Sequence, residues 1–370
     1  MTDAARVSRV SDLVDVDALR RWLSERGLLD GSDELLVSAL GEGHSNLTFL
    51  LRHGSAELVL RRPPRGPLLP TAHDVVREAR VLELLTASGE TVLVPRVRGV
   101  CEDDAVIGAP FYVMDRSPGV VVRDSLPDFM RGPSGYAARR AVGAELPRVL
   151  GSIHRVDWRP FVAAGIGRPA GYLERQLRRW VGQREGIQAA VAAAGGQARE
   201  LPDYDAVRDW LRANLPPESE PAVVHGDFKL DNVIVAPVTG TDGEGHEVPS
   251  AHVTAVVDWE MATVGDPRAD LGYLLSFWPE PGETVPLAEL VTSHDGFPAR
   301  GEVVAIWEES TGRRAGDTRW FVALAVWKLA ILLEASYHRW LAGQADDPFF
   351  ARLDEGVPQL LARAREVCGA

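Results

Sequence analysis

Cysteine is nearly absent from this sequence: Cys101 and Cys368 are the only two in 370 residues, and they lie far apart. That excludes a disulfide framework and a CxxC metal site, and it fits a reducing compartment. Positive charge is also short. Lys and Arg number 40 against 53 Asp and Glu, a net charge of −13. Such a balance argues against a nucleic-acid backbone or an anionic membrane surface as partner. The first residues, "MTDAARVSRVSD", lack an apolar leader segment, so a cytoplasmic location is expected. An unbroken apolar run of membrane length is missing too. The nearest approach, "WFVALAVWKLAILLEASY" (320–337), is interrupted by Lys328 and Glu334 and reads as a buried C-terminal helix. Internal repeats and low-complexity tracts are lacking.

What is present is the composition of an ordinary globular chain, 45% hydrophobic and 25% charged, and too long for one core. "DVDALRRWLSERG" (15–27) reads as an amphipathic helix stopped by Gly27. Three strands follow at about 35–40, 46–52 and 56–62, closed by Pro63-Pro64. Residues 73–87 show helical period, and "VLVPRVRGVCEDD" and "APFYVMDRSPG" read as two more strands. After Pro118 the character changes: 135–154, 171–195, 203–214 and 283–370 read as helical. Between them a strand hairpin with a Gly/Thr/Pro tip (236–245) ends in "HVTAVVDWE". The chain is therefore α+β: a small β-rich lobe over 1–115 and a larger, mainly helical lobe over 116–370.

The chemistry concentrates in "VVHGDFKLDNVIV" (223–235), where His225, Asp227, Lys229, Asp231 and Asn232 interrupt two apolar runs. Asn232 follows Asp227 by five positions, and Asp258 ends the next strand. An Asn oxygen and a carboxylate are hard ligands suited to Mg²⁺, which keeps waters and substrate phosphates as the rest of its shell. Asp227 is then free to orient or deprotonate a hydroxyl. The same five-residue step separates base and metal ligand in the kinase catalytic loop. Lys229 stands where a kinase lysine meets the transferring phosphate, and Asp258 where the Asp of Asp-Phe-Gly does. In "ALGEGHSNLTFLL" (39–51), Gly41, Gly43, Ser45 and Asn46 form a Gly-rich turn able to approach phosphates. "ELVLRRPP" has no strand lysine; Arg61 takes its place, with Glu78 of the following helix as partner. Strand alternation sends Arg61 and Arg62 to opposite faces, so only one of them serves the nucleotide, and Arg61 is the expected one.

With "HGD" in place of His-Arg-Asp, the motifs "HGDFKLDNVI" and "VVDWEMATVGDPRADLGYLL" (256–275) resemble the aminoglycoside phosphotransferase and choline kinase superfamily. They look most like the branch of bacterial phosphotransferases related to the kinase-like domains of acyl-CoA dehydrogenase fusion proteins. The resemblance spans about residues 30 to 345. It implies a bilobal protein-kinase-like fold, with nucleotide binding in the N-lobe and the acceptor site in the C-lobe. It implies ATP and Mg²⁺ as cofactors and transfer of the γ-phosphate to a small-molecule hydroxyl, such as a hydroxy acid or its CoA thioester. Asp227 and Lys229 would be catalytic, and Asn232 and Asp258 would hold the metal. Met114 and Arg116 would flank the adenine, while His225 and Asp270 would support the loop. Lys328, Glu334 and His338, which break an apolar helix, are the candidate acceptor wall, although Glu334 and His338 lie one turn apart and can also pair with each other. The alternatives are an aminoglycoside or other antibiotic O-phosphotransferase and a nucleotide-binding pseudokinase acting as a binding module. A monomer or homodimer is expected.

Overall fold

The structure, a computed structural model, describes residues 13–40, 46–64, 74–241, 247–283, 285–287, 290–345 and 347–369. The chain divides into two compact units. The first is Met1–Gly89, Leu93–Pro118 and Thr254–Met261; the second is Glu90–Val92, Gly119–Val253 and Ala262–Ala370. The segment carrying Asp258, which the sequence reading assigns to the C-terminal lobe, thus groups with the first unit.

In the first unit, helix α1 (Val16–Glu25) starts on Asp15, whose carboxylate accepts the Ala18 N–H at 2.9 Å. Strands β1 (Leu36–Ala39), β2 (Leu47–His53), β3 (Ala56–Arg62), β4 (Val97–Cys101) and β5 (Phe111–Asp115) form one antiparallel sheet in the order β1-β2-β3-β5-β4. Helix α2 (Val75–Thr86) joins β3 to β4 and is capped by Asp74 on the Arg77 N–H. Alternation along the strands sorts the two faces. Phe49, Leu51, Leu60, Phe111 and Val113 share a core with Leu19, Trp22 and Leu23 of α1. Trp22 meets Phe111 edge-on, with ring centroids 4.8 Å apart. The opposite parity carries Val59, Tyr112 and Met114, and α2 packs against β4 and β5. Arg62 therefore lies on the α1 face. Its buried guanidinium donates to the carbonyls of Ile107, at 3.0 Å, and Leu13, so it serves the core.

The second unit holds β6 (Val120–Val121), α3 (Tyr136–Arg155), α4 (Arg159–Ala163), α5 (Tyr172–Ala193), α6 (Pro202–Ala213), β7 (Ala222–Val224) and β8 (Val233–Thr241). After β9 (Glu247–Val256), whose end belongs to the first unit, come β10 (Thr263–Gly265), α7 (Arg268–Ser276), α8 (Arg300–Thr311), α9 (Arg319–Leu341) and α10 (Leu353–Cys368). β7 pairs antiparallel with β10, and β6, β8 and β9 form a second small sheet. Helix α9 is the organising element and packs against α5, α6, α7 and α10. It is long and apolar enough to cross a membrane, yet 72% of its most apolar window is buried inside the fold. The helical reading from residue 283 onward is too generous. Among the described residues between Ser276 and Arg300, only a 3-10 turn, Val291–Ser293, interrupts irregular chain. Pro279, Pro281, Pro286 and Pro298 remove backbone donors there and clash with a preceding helical turn.

α7 crosses α9 at backbone contact. A Cβ on Gly272 would lie 2.4 Å from Phe321 Cβ and 2.8 Å from the Phe321 carbonyl oxygen. Gly272→Ala gains about 1 kcal/mol of helix propensity but incurs an overpacking cost of about 3 kcal/mol. Urea unfolding should therefore show a net loss of about 2 kcal/mol. A variant as stable as the wild type would mean that the two helices do not touch at Gly272.

Candidate active site

The chain leaves β7 at Val224 and turns through His225-Gly226-Asp227. Gly226 has φ +86°, in the left-handed region that L side chains avoid, which accounts for a glycine there. Asp270, in the first turn of α7, holds the turn from one side. Its carboxylate accepts the His225 N–H at 2.7 Å and the Gly226 N–H at 2.8 Å. It also faces His154 Nε2 at 3.3 Å, and His154 Nδ1 accepts the Trp307 indole N–H at 2.9 Å. An indole nitrogen only donates, so the His154 proton sits on Nε2, toward Asp270. Burial pushes the His154 pKa down, which keeps the ring neutral. Burial would by itself raise Asp270, but the hydrogen bonds from His154 and the Gly226 N–H outweigh it and hold the carboxyl below its ordinary value.

Asp227 is fixed by two neighbours. Its N–H donates to His225 Nδ1 at 3.2 Å. Asn232, closing the 3-10 turn Leu230–Asn232, sends Nδ2 to Asp227 Oδ2 at 2.7 Å and to the Asp227 carbonyl at 2.8 Å. Both amide hydrogens are thereby used, which leaves Asn232 Oδ1 as the atom able to meet a cation. Tyr273 also feels Asp227: burial, then the Asp227 charge, pushes the phenol far above its usual range. Lys229 Nζ pairs with Asp231 at 2.8 Å and stands 5.4 Å from the Phe277 ring centroid.

The three residues expected at the acceptor wall are all engaged with partners inside the protein. Glu334 is 1% exposed, and its carboxylate is taken by Arg184 at 3.1 Å, Arg199 at 2.6 Å and His338 at 3.1 Å. Glu334 and His338 belong to a closed ion cluster that ties α9 to α5 and to Arg199, because a buried carboxylate is tolerated only with counter-charges. Lys328 points elsewhere: its Nζ donates to the Gly226 carbonyl at 2.6 Å.

The first unit gathers a second set. Arg61 Nε lies 2.9 Å from Glu78 Oε2, and Arg61 Nη2 lies 2.5 Å from Asp258 Oδ1. Glu78 also accepts the Trp259 N–H at 3.2 Å. Burial drives the Glu78 carboxyl upward, Arg61 opposes, and the Asp258 and Glu260 carboxylates add to the rise, leaving it at about 7. Asp258 has φ +68°, a conformation that Asp tolerates better than most residues. Asn46, read as part of a phosphate-covering turn, is instead buried, and its Nδ2 bridges Glu78 at 3.4 Å and Glu260 at 3.3 Å. Gly41, Gly43 and Ser45 lie outside the described residues. Met114 is buried and paired with Val59 in the β3–β5 ladder, whereas Arg116 reaches Glu57 at the surface. Three residues beside these groups escaped the sequence reading: Tyr273, His154 and Glu260. Tyr273 had a usable signal, standing three residues after Asp270 on one helix face.

A sequence model described as the phosphotransferase enzyme family matches residues 37–303. The chain belongs to this family. Acyl-CoA dehydrogenase family member 10 of Mus musculus is 33% identical over 350 residues, which cover 92% of this phosphotransferase and 30% of that protein. Acyl-CoA dehydrogenase family member 11 of Mus musculus is 34% identical over 346 residues, 90% of this chain and 41% of the relative. The phosphotransferase thus spans less than half the length of these curated relatives. A solved structure from Ralstonia eutropha JMP134, provisionally named an aminoglycoside phosphotransferase, superposes with TM-score 0.74 at 28% identity and covers 96% of this chain and 98% of its own. The aminoglycoside phosphotransferase APH(4)-Ia, solved with AMP-PNP and hygromycin B, shares the fold at TM-score 0.55 and 17% identity, over 95% of this chain and 98% of its own.

Proposed function

We propose that this kinase-type enzyme transfers the γ-phosphoryl group of ATP, with Mg²⁺, to the hydroxyl of a small molecule, and that the acceptor is a hydroxy acid or its CoA thioester. The observation that carries the reading is the Asn232–Asp227 pair. One side chain fixes the carboxylate that receives the hydroxyl proton and keeps its own oxygen for a cation. The donors suit Mg²⁺ by their chemistry: Asn232 Oδ1 in one unit and the Asp258 carboxylate in the other are each a hard oxygen that a metal completed by phosphates and water accepts. Bound there, the ion would supply charge neutralisation at the phosphates. Arg61, held by Glu78, is the group we assign to the donor phosphates, and Lys229 to the transferring one. Most of the rate then comes from positioning and preorganised charge. The acyl-CoA acceptor draws support from the relatives, whose names are those of acyl-CoA dehydrogenases.

The test is a pooled assay. Protein, Mg²⁺-ATP and a panel of hydroxy acids, their CoA thioesters, aminoglycosides, macrolides, choline and sugars are incubated together, and mass spectrometry follows any gain of one phosphoryl group. A phosphorylated hydroxy acid or thioester is the expected product. A phosphorylated antibiotic instead would replace the acceptor assignment. Nucleotide binding with no turnover of any kind would turn the reading toward a binding module.

A further inference from the structure

Lys328 is a buried cation on α9. It is 8% exposed, and among the described residues its Nζ makes no ion pair. Its contacts are the Gly226 carbonyl at 2.6 Å, the Tyr273 ring with its centroid at 4.5 Å, and the Trp180 ring at 5.5 Å. Burial pushes its ammonium down to about 8, Asp227 and Asp270 pull it back up, and Arg179 and Lys229 lower it further. For stability alone such a group is a poor choice. A methionine of similar length would fill the space between Trp180, Tyr273 and Leu324 without desolvating a charge.

We propose that Lys328 is a positioning residue for phosphoryl transfer, holding the peptide that precedes Asp227. The inference rests on the reading of Asp227 as the group that receives the hydroxyl proton. The Gly226–Asp227 peptide is gripped at both ends: Lys328 takes its carbonyl, and His225 Nδ1 takes its N–H. Its rotation is thereby blocked although Gly226 is free to turn. Lys328 also lies over the Tyr273 ring, so α9, α7 and the loop after β7 meet around this one ammonium.

The test uses the full chain and two probes, Mg²⁺-ATP binding by calorimetry and the slow hydrolysis of Mg²⁺-ATP to ADP. For Lys328→Met the expected result is a fall in kcat of about 30-fold or more, with KM and the ATP Kd within about threefold of wild type. Its melting temperature should be unchanged or higher, which separates positioning from a merely structural role. Lys328→Gln removes the charge and shortens the donor to the Gly226 carbonyl, and should lower kcat by about tenfold with the same unchanged ATP Kd. It decides the matter if Lys328→Met does not fold. Turnover of both variants within about threefold of wild type would overturn the inference while leaving the phosphotransferase reading intact. A wild-type protein that neither binds nor hydrolyses Mg²⁺-ATP would overturn that reading and this inference with it.

Discussion

Asp227→Asn should lower phosphoryl transfer about 10³-fold and leave Mg²⁺-ATP binding within about threefold of wild type. By transition-state arithmetic that rate loss corresponds to about 4 kcal/mol. The substitution keeps the shape of the side chain but replaces one acceptor oxygen by a donor. Asn232 Nδ2 already donates to this group at 2.7 Å. An amide that turns its oxygen toward Asn232 presents its NH2 where the hydroxyl proton should go, so the variant loses the proton acceptor. The fold does not depend on the charge, because the loop backbone is held through Asp270 and Lys328. Product quantitation in the pooled assay, beside calorimetry with Mg²⁺-ATP, checks both halves. Transfer within tenfold of wild type would mean that another group receives the hydroxyl proton.

Residues tied to local geometry were legible in the sequence, and residues defined by distant partners were not. The five-residue step from Asp227 to Asn232 marked the two as one constellation, and the structure joins them directly at 2.7 Å because both ends sit on one short turn. Strand period alone separated Arg61 from Arg62, and each now has the partners that its face dictates. The apolar run of α9 likewise announced that Lys328 and Glu334 need partners or a ligand. It did not reveal by what. Glu334 meets Arg184 and Arg199, which are 150 and 135 positions away, and Lys328 meets a carbonyl 102 positions away. Such pairings come from the packing of α9 against α5 and α7, not from any periodic pattern. Asn46 shows the opposite failure. A Gly-rich turn beside it implied a ligand-facing amide, while the two carboxylates that draw it inward come from α2 and from the segment after β9.

Arg61→Met should cost about 3–5 kcal/mol of stability at pH 8.5, because it strands the Glu78 carboxylate without its counter-charge. The loss should be smaller at pH 6. Glu78 already titrates at about 7, above the 4.5 of an ordinary Glu, so the folded state binds this proton more tightly than the unfolded one. Its contribution to stability is therefore complete below about pH 4.5 and is lost as the pH rises through about 7. Removing Arg61 takes away the group that opposes the rise and moves the upper end of that window higher. Near pH 6 the variant escapes part of the cost by protonating Glu78. The double variant Arg61→Met with Glu78→Gln removes the stranded charge and should recover most of the stability at pH 8.5, a coupling that urea unfolding at the two pH values reads directly. It should not recover Mg²⁺-ATP affinity, since the guanidinium assigned to the phosphates is still missing. A single variant costing less than about 1 kcal/mol at both pH values would mean that the ion pair carries no net stability. Recovery of nucleotide affinity in the double variant would instead remove Arg61 from the donor site and leave it as the counter-ion of Glu78 alone.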